Sequence, residues 1–421
     1  RVVGETDPIV SGQNVYLTID FNLQKFAQQV LQDEIDYLNR YAGRTVTQQG
    51  VVIAMNPKTG EILAMVSLPT YDNNIFSSSF ISQTVLDQIT NDPYLPQVNH
   101  AIQSLYPPGS TFKIVPASAA LQEGVLTPKT VINDPGAIVI PNKYFPDDPR
   151  QAQTFVCWLR SGHGDENIVQ ALAHSCDVFF YEVAGGLNIK GQPTFDGLNV
   201  DRLGKYAELF GFGSTTGIDL SGEAAGFVPD AVWKRRSTGE NWTLGDTYNF
   251  GIGQGYLTAT PLQVLNAMAA IANNGTLMKP QIVKQVSDVN GQAVTTFAPQ
   301  SIRKIPVDLA NIKIVQQGVE AVVNWPDGTA IKAQVPGVKV AGKTGTAEYC
   351  DDLAQKTGEC YRGHVPSHAW FTAYAPADNP SIALVVFIYN GGEGSVTAVP
   401  VAQKILQYWF QQHPLTPAPT P

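Results

Sequence analysis

The order of apolar and polar residues predicts a strand and a helix near the start of the chain, followed by a strand pair. The stretch "NVYLTID" (14–20) is strand-like, and apolar residues at helical spacing continue through 21–42, with Asp20 placed to cap that helix. The stretch "GVVIAMNPKTGEILAMVS" (50–67) holds two apolar runs joined by a Pro/Gly turn, which predicts a hairpin. We expect the core sheet to begin with this hairpin.

The middle of the chain is predicted to be helical and its last part to consist of strands. Apolar helices are predicted at 112–123, 167–184 and 260–275, and in the third one Pro261 suits the first turn and Gly275 the C-terminal stop. Three strand-like runs and a final helix follow at 338–347, 368–376, 381–392 and 399–412.

This order of elements predicts an α/β (α+β) layered domain over 14–410. Its central antiparallel sheet is built from both ends of the chain and is flanked by helices, with an all-helical insertion at about 100–280 between them. The segment 411–421 ends in "HPLTPAPTP", a Pro-rich composition that predicts a disordered tail.

Composition and charge agree with a globular domain and argue against a nucleic-acid partner. The 421 residues are 43% hydrophobic, enough for one large core or two medium ones. The net charge is −9, and no basic cluster is longer than "KRR" (234–236), so the sequence predicts no basic face that would bind a polyanion. No apolar run reaches the roughly 18 residues that cross a bilayer. Because residue 1 is Arg, we expect a truncated or processed piece.

The stretch "YPPGSTFKIV" (106–115) places a serine and a lysine one helical turn apart at a predicted helix entrance. A serine hydroxyl needs a base within hydrogen-bond reach, and at this spacing Ser110 and Lys113 share one helix face. The ordinary lysine pKa of about 10.4 is too high for a base at neutral pH, so burial or a second positive charge is required. Since Ser-x-x-Lys also arises by chance, this motif needs support from others.

Two further motifs offer that support. Lys-Thr-Gly occurs three times, but only 343–345 lies on a strand-like run bounded by small residues, where a substrate backbone can pair. Ser175 and Asp177 interrupt an otherwise apolar helix, and polar groups in such a place need partners. The residues alone leave open whether this pair is catalytic or simply a satisfied buried pair.

The order Ser-x-x-Lys, Ser-x-Asp, Lys-Thr-Gly is typical of penicillin-binding proteins and serine β-lactamases. Residues from about 15 to 410 resemble the transpeptidase domain of class B penicillin-binding proteins, and most closely its elongation-type members, the penicillin-binding protein 2 group. The likeness also rests on "VYLTIDFNLQ", "GHGDENIVQALAHSCDVFFY" and "GIGQGYLTATPLQ". It implies a β-lactamase-like transpeptidase fold, a periplasmic location, and an N-terminal membrane anchor and pedestal domain, of which 1–13 is the last piece.

The resemblance also implies a role for each motif residue. Ser110 would attack the D-Ala-D-Ala carbonyl of a peptidoglycan stem peptide, with Lys113 taking the serine proton and Ser175 passing it to the leaving amine. Lys343 would lower the pKa of Lys113 and orient the substrate carboxylate. The remaining substrate-binding residues would be Thr344, Gly345 and Thr346, and the amides of Ser110 and Thr346 would form the oxyanion hole.

Asp177 departs from the commoner family pattern, in which Asn stands at that position, although elongation-type members often carry Asp. The change replaces a donor with a charge, which puts the contact to the substrate amide in doubt. The resemblance further implies cross-linking of stem peptides, β-lactams as inhibitors, and a membrane glycan polymerase of the SEDS family as partner.

Four residues of the insertion are candidate zinc ligands: Asp134, Cys157, His163 and Cys176. Elongation-type relatives resemble this chain in having acidic, His and Cys zinc ligands between the first two motifs, and one O, one N and two S donors suit tetrahedral zinc. The residues alone equally allow a Cys157–Cys176 disulfide, a buried free thiol, or a turn aspartate beside a surface histidine.

The other two cysteines, Cys350 and Cys360, bracket a polar loop just after the Lys-Thr-Gly strand. We expect a disulfide there, because the compartment outside the membrane permits one. Two alternatives to a transpeptidase are a class D β-lactamase and a β-lactam sensor domain. Both are shorter, and a class D enzyme carries an apolar residue where Asp177 stands.

Overall fold

A five-stranded antiparallel sheet forms the centre of the molecule. The computed structural model describes residues 11–77, 79–142, 145, 147–189, 194–361 and 365–415. The sheet strands, in spatial order, are β12 (Ala341–Glu348), β13 (Ser367–Ala375), β14 (Ile382–Ile388), β2 (Gly50–Met55) and β3 (Ile62–Leu68). The sheet is therefore built from both ends of the chain, which confirms the prediction, and β12 lies at one edge.

Helices and small sheets surround this central sheet. The helices are α1 (Phe21–Ala42), α2 (Gln83–Thr90), α3 (Ile114–Gln122), α4 (Ile168–Ala173), α5 (Asp177–Gly185), α6 (Asn199–Leu209), α7 (Ala231–Thr238), α8 (Leu244–Gly251), α9 (Pro261–Ala272), α10 (Leu309–Asn324), α11 (Asp352–Lys356) and α12 (Ala398–Gln412). Short 3₁₀ helices span Asn73–Ser77, Gly109–Lys113, Pro149–Gln151 and Ile331–Ala333. The other strands are β1 (Asn14–Leu17), β4 (Ile132–Asp134), β5 (Ala137–Ile140), β6 (Gln153–Val156), β7 (Gly164–Glu166), β8 (Thr276–Met278), β9 (Val283–Ser287), β10 (Ala293–Thr296) and β11 (Ser301–Lys304).

The central sheet is buried on both faces, so successive residues of one strand enter different cores. On β14, Val385 and Phe387 pack into the core shared with α9 and the insertion. Leu384 and Val386 pack on the other face, against α1 and α12. A strand buried on both faces has a continuous apolar run instead of alternation, and β14 reads "IALVVFI".

Helix α1 begins and ends where the sequence predicts. The Asp20 carboxylate accepts hydrogen bonds from the backbone amides of Asn22 and Leu23, and Gly43 ends the helix in a left-handed conformation. Helix α9 likewise begins at Pro261, in a capping box formed by Thr260 and Gln263.

The insertion is not all-helical, which corrects the prediction. Two small antiparallel pairs, β4 with β7 and β5 with β6, lie between α3 and α4 in the chain. Their strands are only 3 or 4 residues long, too short to give a clear alternation. The predicted helix 167–184 is also wrong as one element, because it is broken into α4 and α5 at Ser175, where φ is +55°.

The predicted termini fall partly outside the described residues. Helix α12 runs to Gln412, so the predicted tail beginning at 411 starts two residues too early. The remainder of that tail from 416 and the first ten residues of the predicted pedestal remnant lie outside the described ranges. Within those ranges, no helix combines the length and apolar character that a bilayer crossing requires.

Leu384→Ala should reduce the free energy of unfolding by about 2–5 kcal/mol, because it leaves a cavity in a fully buried central strand. Urea unfolding followed by circular dichroism measures the change. Val294→Ala on β10 is the control, since Val294 is 53% exposed and its truncation should change stability little. A loss below about 1 kcal/mol for Leu384→Ala would contradict the two-sided core.

Candidate active site

All three sequence motifs meet at one cavity of about 1100 Å³ along the free edge of β12. The motif residues that line it are Ser110, Ser175, Asp177, Thr344, Gly345 and Thr346. Lys113 and Lys343 lie behind this lining and are completely buried. The structure therefore brings together every catalytic and substrate-binding residue that the sequence analysis singled out.

Ser110 lies on the 3₁₀ turn that leads into α3. The turn is held by the amide of Gly109, which donates a hydrogen bond to the carbonyl of Gly253 at 2.9 Å. Both glycines have positive φ, and a Cβ on Gly253 would lie 2.1 Å from the Gly109 oxygen. The Ser110 hydroxyl has no hydrogen-bond partner within the described part of the chain, so it faces the cavity unengaged.

Lys113 is fixed by the turn between α4 and α5. Its Nζ donates hydrogen bonds to the Ser175 carbonyl at 2.8 Å and to Asp177 Oδ1 at 2.7 Å, and it lies 3.5 Å from Ser175 Oγ. Among the described residues no hydrogen bond joins this amine to Ser110. The direct serine–lysine contact that the spacing predicts is thus not made in this structure, and the lysine instead contacts the second motif.

Lys343 approaches the same serine from the sheet. Its Nζ donates to Ser175 Oγ at 2.8 Å and to the Thr344 carbonyl at 3.1 Å. Burial, and then the positive charge of Lys113, hold the pKa of Lys343 well below its ordinary value, against the opposing charge of Asp177. Both effects disfavour the charged form of this amine relative to a lysine in water. The implied effect of Lys343 on the proton affinity of Lys113 stays a prediction.

Ser175 reaches both amines because the helix breaks there. Its left-handed backbone, with φ +55°, costs of order 1–3 kcal/mol for a residue with a side chain. The break ends α4 and begins α5 at Asp177, so that the Ser175 hydroxyl projects between the two lysines. This strained residue is the point at which the three motifs are connected by hydrogen bonds.

Both carboxylate oxygens of Asp177 are engaged inside the protein. Oδ1 accepts from Lys113, and Oδ2 accepts from the backbone amide of Trp158 at 3.0 Å. The sequence analysis doubted that an aspartate here contacts the substrate amide. In the structure this carboxylate instead links Lys113 to the loop after β6. A contact of Asp177 with substrate stays a prediction.

The hydroxyl groups of the third motif have defined neighbours. Thr344 Oγ1 lies 2.9 Å from Thr329 Oγ1, and Thr346 Oγ1 accepts from the Gly394 amide at 3.4 Å. Thr329 also lines the cavity, and sequence reasoning missed it because the "DGTA" loop carries no periodic signal. Gly345 is packed closely, since a Cβ there would lie 3.0 Å from the Thr111 methyl group.

The four candidate metal ligands also come together. One ligand atom from each of Asp134, Cys157, His163 and Cys176 lies within 4.8 Å of all the others. Asp134 Oδ2 lies 2.7 Å from His163 Nδ1 and 3.2 Å from Cys176 Sγ. The two thiols are not joined, so the alternative of a Cys157–Cys176 disulfide is wrong.

The pairing of β4 with β7 explains this convergence, because it places Asp134 opposite Gly164, next to His163. A hydrogen bond with Cys176, together with one from His163, outweighs burial and lowers the pKa of the Cys157 thiol to about 6. The donor set of two sulfurs, one imidazole nitrogen and one carboxylate oxygen is the kind that zinc accepts. The residues present therefore fit the metal that the resemblance implies.

The expected disulfide between Cys350 and Cys360 is confirmed. It closes the segment that contains α11, just beyond β12. Cys350 itself lines the cavity, so the bridge lies at the rim of the candidate site.

Comparison with known proteins identifies relatives of the whole domain. A family model described as penicillin binding protein transpeptidase domain matches residues 50–407. The peptidoglycan D,D-transpeptidase MrdA of Haemophilus influenzae is 36% identical over 416 residues, which cover 96% of this chain and 57% of the relative. The chain thus spans somewhat more than half the length of that relative.

Solved structures give the same result. The crystal structure of Pseudomonas aeruginosa PBP2 in complex with WCK 5153 is 34% identical, with a TM-score of 0.77 over 95% of this chain and 79% of that one. A chain from a peptidoglycan synthase complex that coordinates polymerization and crosslinking is 32% identical, with a TM-score of 0.77 over 97% of this chain and 64% of that one.

Gly253→Ala should distort the Ser110 turn, because its Cβ would overlap the Gly109 carbonyl. We expect a clear loss of thermal stability together with a disturbed cavity, measured by differential scanning calorimetry and by the crystal structure of the variant. Gly337→Ala is the matched control: it has the same positive φ but nothing within 4 Å of the added carbon. Equal effects of the two substitutions would mean that the close approach to Gly109 does not matter.

Proposed function

The chain belongs to the penicillin-binding protein transpeptidase family, and on that premise we propose that it is the catalytic domain of an elongation-type peptidoglycan D,D-transpeptidase. The observation that carries the proposal is the convergence of the Lys113 and Lys343 amines on Ser175, beside an unengaged Ser110 hydroxyl. Peptide acyl transfer needs this set of groups: a nucleophile, a base and a proton relay.

In the first step, Ser110 Oγ attacks the carbonyl carbon between the two D-Ala residues of a stem peptide. Lys113 takes the hydroxyl proton, which requires its amine to be neutral when the substrate is bound. Ser175 then passes a proton from the lysine pair to the departing nitrogen. The carbon–nitrogen bond breaks, D-Ala leaves as a neutral amine, and a serine ester remains.

Developing negative charge on the carbonyl oxygen needs fixed donors. The backbone amides of Ser110 and Thr346 are the candidates, the first at a helix entrance and the second on the edge strand. The substrate's terminal carboxylate is bound by the hydroxyls of Thr344 and Thr346, with Lys343 nearby. The free edge of β12 offers the peptide backbone a strand to pair with.

In the second step, the amine of a neighbouring stem peptide attacks the ester carbonyl. Its proton goes to Lys113 through Ser175, the serine oxygen leaves and recovers a proton, and a cross-linking amide forms. A β-lactam ring offers the same carbonyl to Ser110 but blocks the approach of the amine, so β-lactams act as inhibitors.

We also propose that Asp134, Cys157, His163 and Cys176 hold a structural zinc ion. The support is their donor set, their mutual distances and the separate state of the two thiols. Bound zinc would supply no chemistry to the reaction; it would tie the loop after β6 to the start of α5. The backbone amide of Asp177 donates a hydrogen bond to Cys157 Sγ at 3.3 Å, so the tie would reach the second motif.

The cellular setting proposed for the domain follows its relatives. We place it at the outer face of the cytoplasmic membrane, attached to a membrane anchor, where its substrate is made. A membrane glycan polymerase of the SEDS family is the proposed partner, supported by the likeness to a chain of a complex that couples polymerization with crosslinking.

Ser110→Ala should abolish covalent labelling by a fluorescent penicillin, because no other group replaces the attacking oxygen. Lys113→Ala should keep the fold and slow labelling by roughly a hundredfold or more, the contribution of a general base. Labelling is measured on denaturing gels against time. Ser118→Ala, a buried serine on α3 outside the cavity, is the control and should label normally. Persistent labelling of Ser110→Ala would refute the assignment of the nucleophile.

Protein purified without chelators should contain close to one zinc ion per chain by mass spectrometry of metals. His163→Ala should lose most of it, because one of four ligands is removed, whereas His413→Ala at the end of α12 should retain it. Wild-type protein with far less than one zinc equivalent would contradict the metal site.

A further inference from the structure

The loop between β6 and β7, residues 157–163, forms a wall of the cavity as well as carrying candidate metal ligands. Trp158 and Arg160 on this loop both line the cavity and are exposed to it. Neither belongs to the three sequence motifs. Their side chains therefore meet whatever part of a substrate extends beyond the reacting bond.

The loop is held rigidly at several points. The Trp158 backbone amide donates to Asp177 Oδ2 at 3.0 Å, and its indole Nε1 donates to the His174 carbonyl at 2.9 Å. The backbone of Arg160 lies against Gly136, because a Cβ added to Gly136 would lie 2.2 Å from the Arg160 carbonyl oxygen. A side chain on such a fixed loop is presented in a defined place, which specific recognition requires.

The charges around the cavity make Arg160 distinctive. In the described part of the chain it is the one basic residue in the cavity lining, whereas the acidic ones are Asp177, Asp327, Glu348 and Glu393. Asp177 pairs with Lys113, and Asp327 lies 3.2 Å from His174. Arg160 has no ion-pair partner among the described residues, so its guanidinium is free to bind an anion.

A stem peptide brings one carboxylate at its D-Ala terminus and, in some chemistries, another on an upstream residue. The first is met by the hydroxyls of Thr344 and Thr346 on β12, with Lys343 buried behind them. A second carboxylate would be repelled by the acidic lining unless a cation met it, and a guanidinium binds carboxylates through two parallel hydrogen bonds. Arg160 is the group in the described lining that can do this.

Resting on the proposed function, we propose that Arg160 is a specificity-determining residue that binds a second carboxylate on the stem peptide. Trp158 and the backbone around Gly136 position it. The domain then favours stem peptides whose upstream residue carries a free carboxylate over those in which that group is amidated or absent.

The test uses two penicillins that differ in one group. One has an α-aminoadipyl side chain, which ends in a free carboxylate, and the other has that carboxylate converted to a primary carboxamide. Rate constants for acylation of the full chain are measured by intact-protein mass spectrometry. Wild type should react roughly ten times faster with the carboxylate form, the effect of one charge-assisted pair.

Arg160→Gln should bring the ratio of the two rate constants close to one, and Arg160→Lys should give an intermediate ratio because it keeps charge but loses the two-point contact. Arg236→Gln, an exposed arginine on α7 outside the cavity, should keep the wild-type ratio. A ratio near one in wild type, or an unchanged ratio in Arg160→Gln, would overturn this inference alone. Failure of both penicillins to acylate wild type would instead overturn the proposed function.

Discussion

Two lysine amines in one buried place, with the Asp177 carboxylate against one of them, are the electrostatic constraint on which this site depends. Lys113 and Lys343 are both fully buried and both approach Ser175 Oγ, and Asp177 is the acid that contacts Lys113. Two charged ammonium groups cannot be desolvated together against one counter-charge without a large cost. Burial and the neighbouring charge of Lys113 lower the pKa of Lys343, which reduces this cost.

The surrounding fold holds the two amines close to Ser175 because the backbone that carries these residues is fixed. Ser175 accepts a left-handed conformation because α4 and α5 are both anchored in the core, and the strain places its hydroxyl between the amines. On the other side, Lys343 projects from a strand whose register with β13 is regular throughout. A lysine on a regular strand and one on a helix entrance have little room to move apart. The convergence therefore depends on a regular strand, a helix entrance and the turn at Ser175 that two helices anchor.

The sequence predicted the parts of the fold that have a strong period. The hairpin of β2 and β3, the last three strands, and α1 with its Asp20 cap are where the pattern indicates, because long apolar runs and caps are local signals. The break at Ser175 could not be predicted, because the apolar run around it has a helical pattern. Only tertiary contacts impose the left-handed conformation there. Motif residues were found from their patterns and then from the resemblance, but Thr329 and Arg160 were not, because they lie on loops brought to the cavity from distant parts of the chain.

The two loops at the rim of the cavity are held in shape differently from the strands of the sheet. A loop has few backbone hydrogen bonds of its own, so it holds a shape only if something else ties it. The segment after β12 is closed by the Cys350–Cys360 bridge, and the loop after β6 ends in the cluster formed by Asp134, Cys157, His163 and Cys176. Each tie adjoins a cavity-lining residue, Cys350 itself on one loop and Trp158 on the other. A cleft that must hold an extended, flexible peptide against a fixed nucleophile gains from such ties, because walls that are ordered beforehand need not be ordered by the substrate.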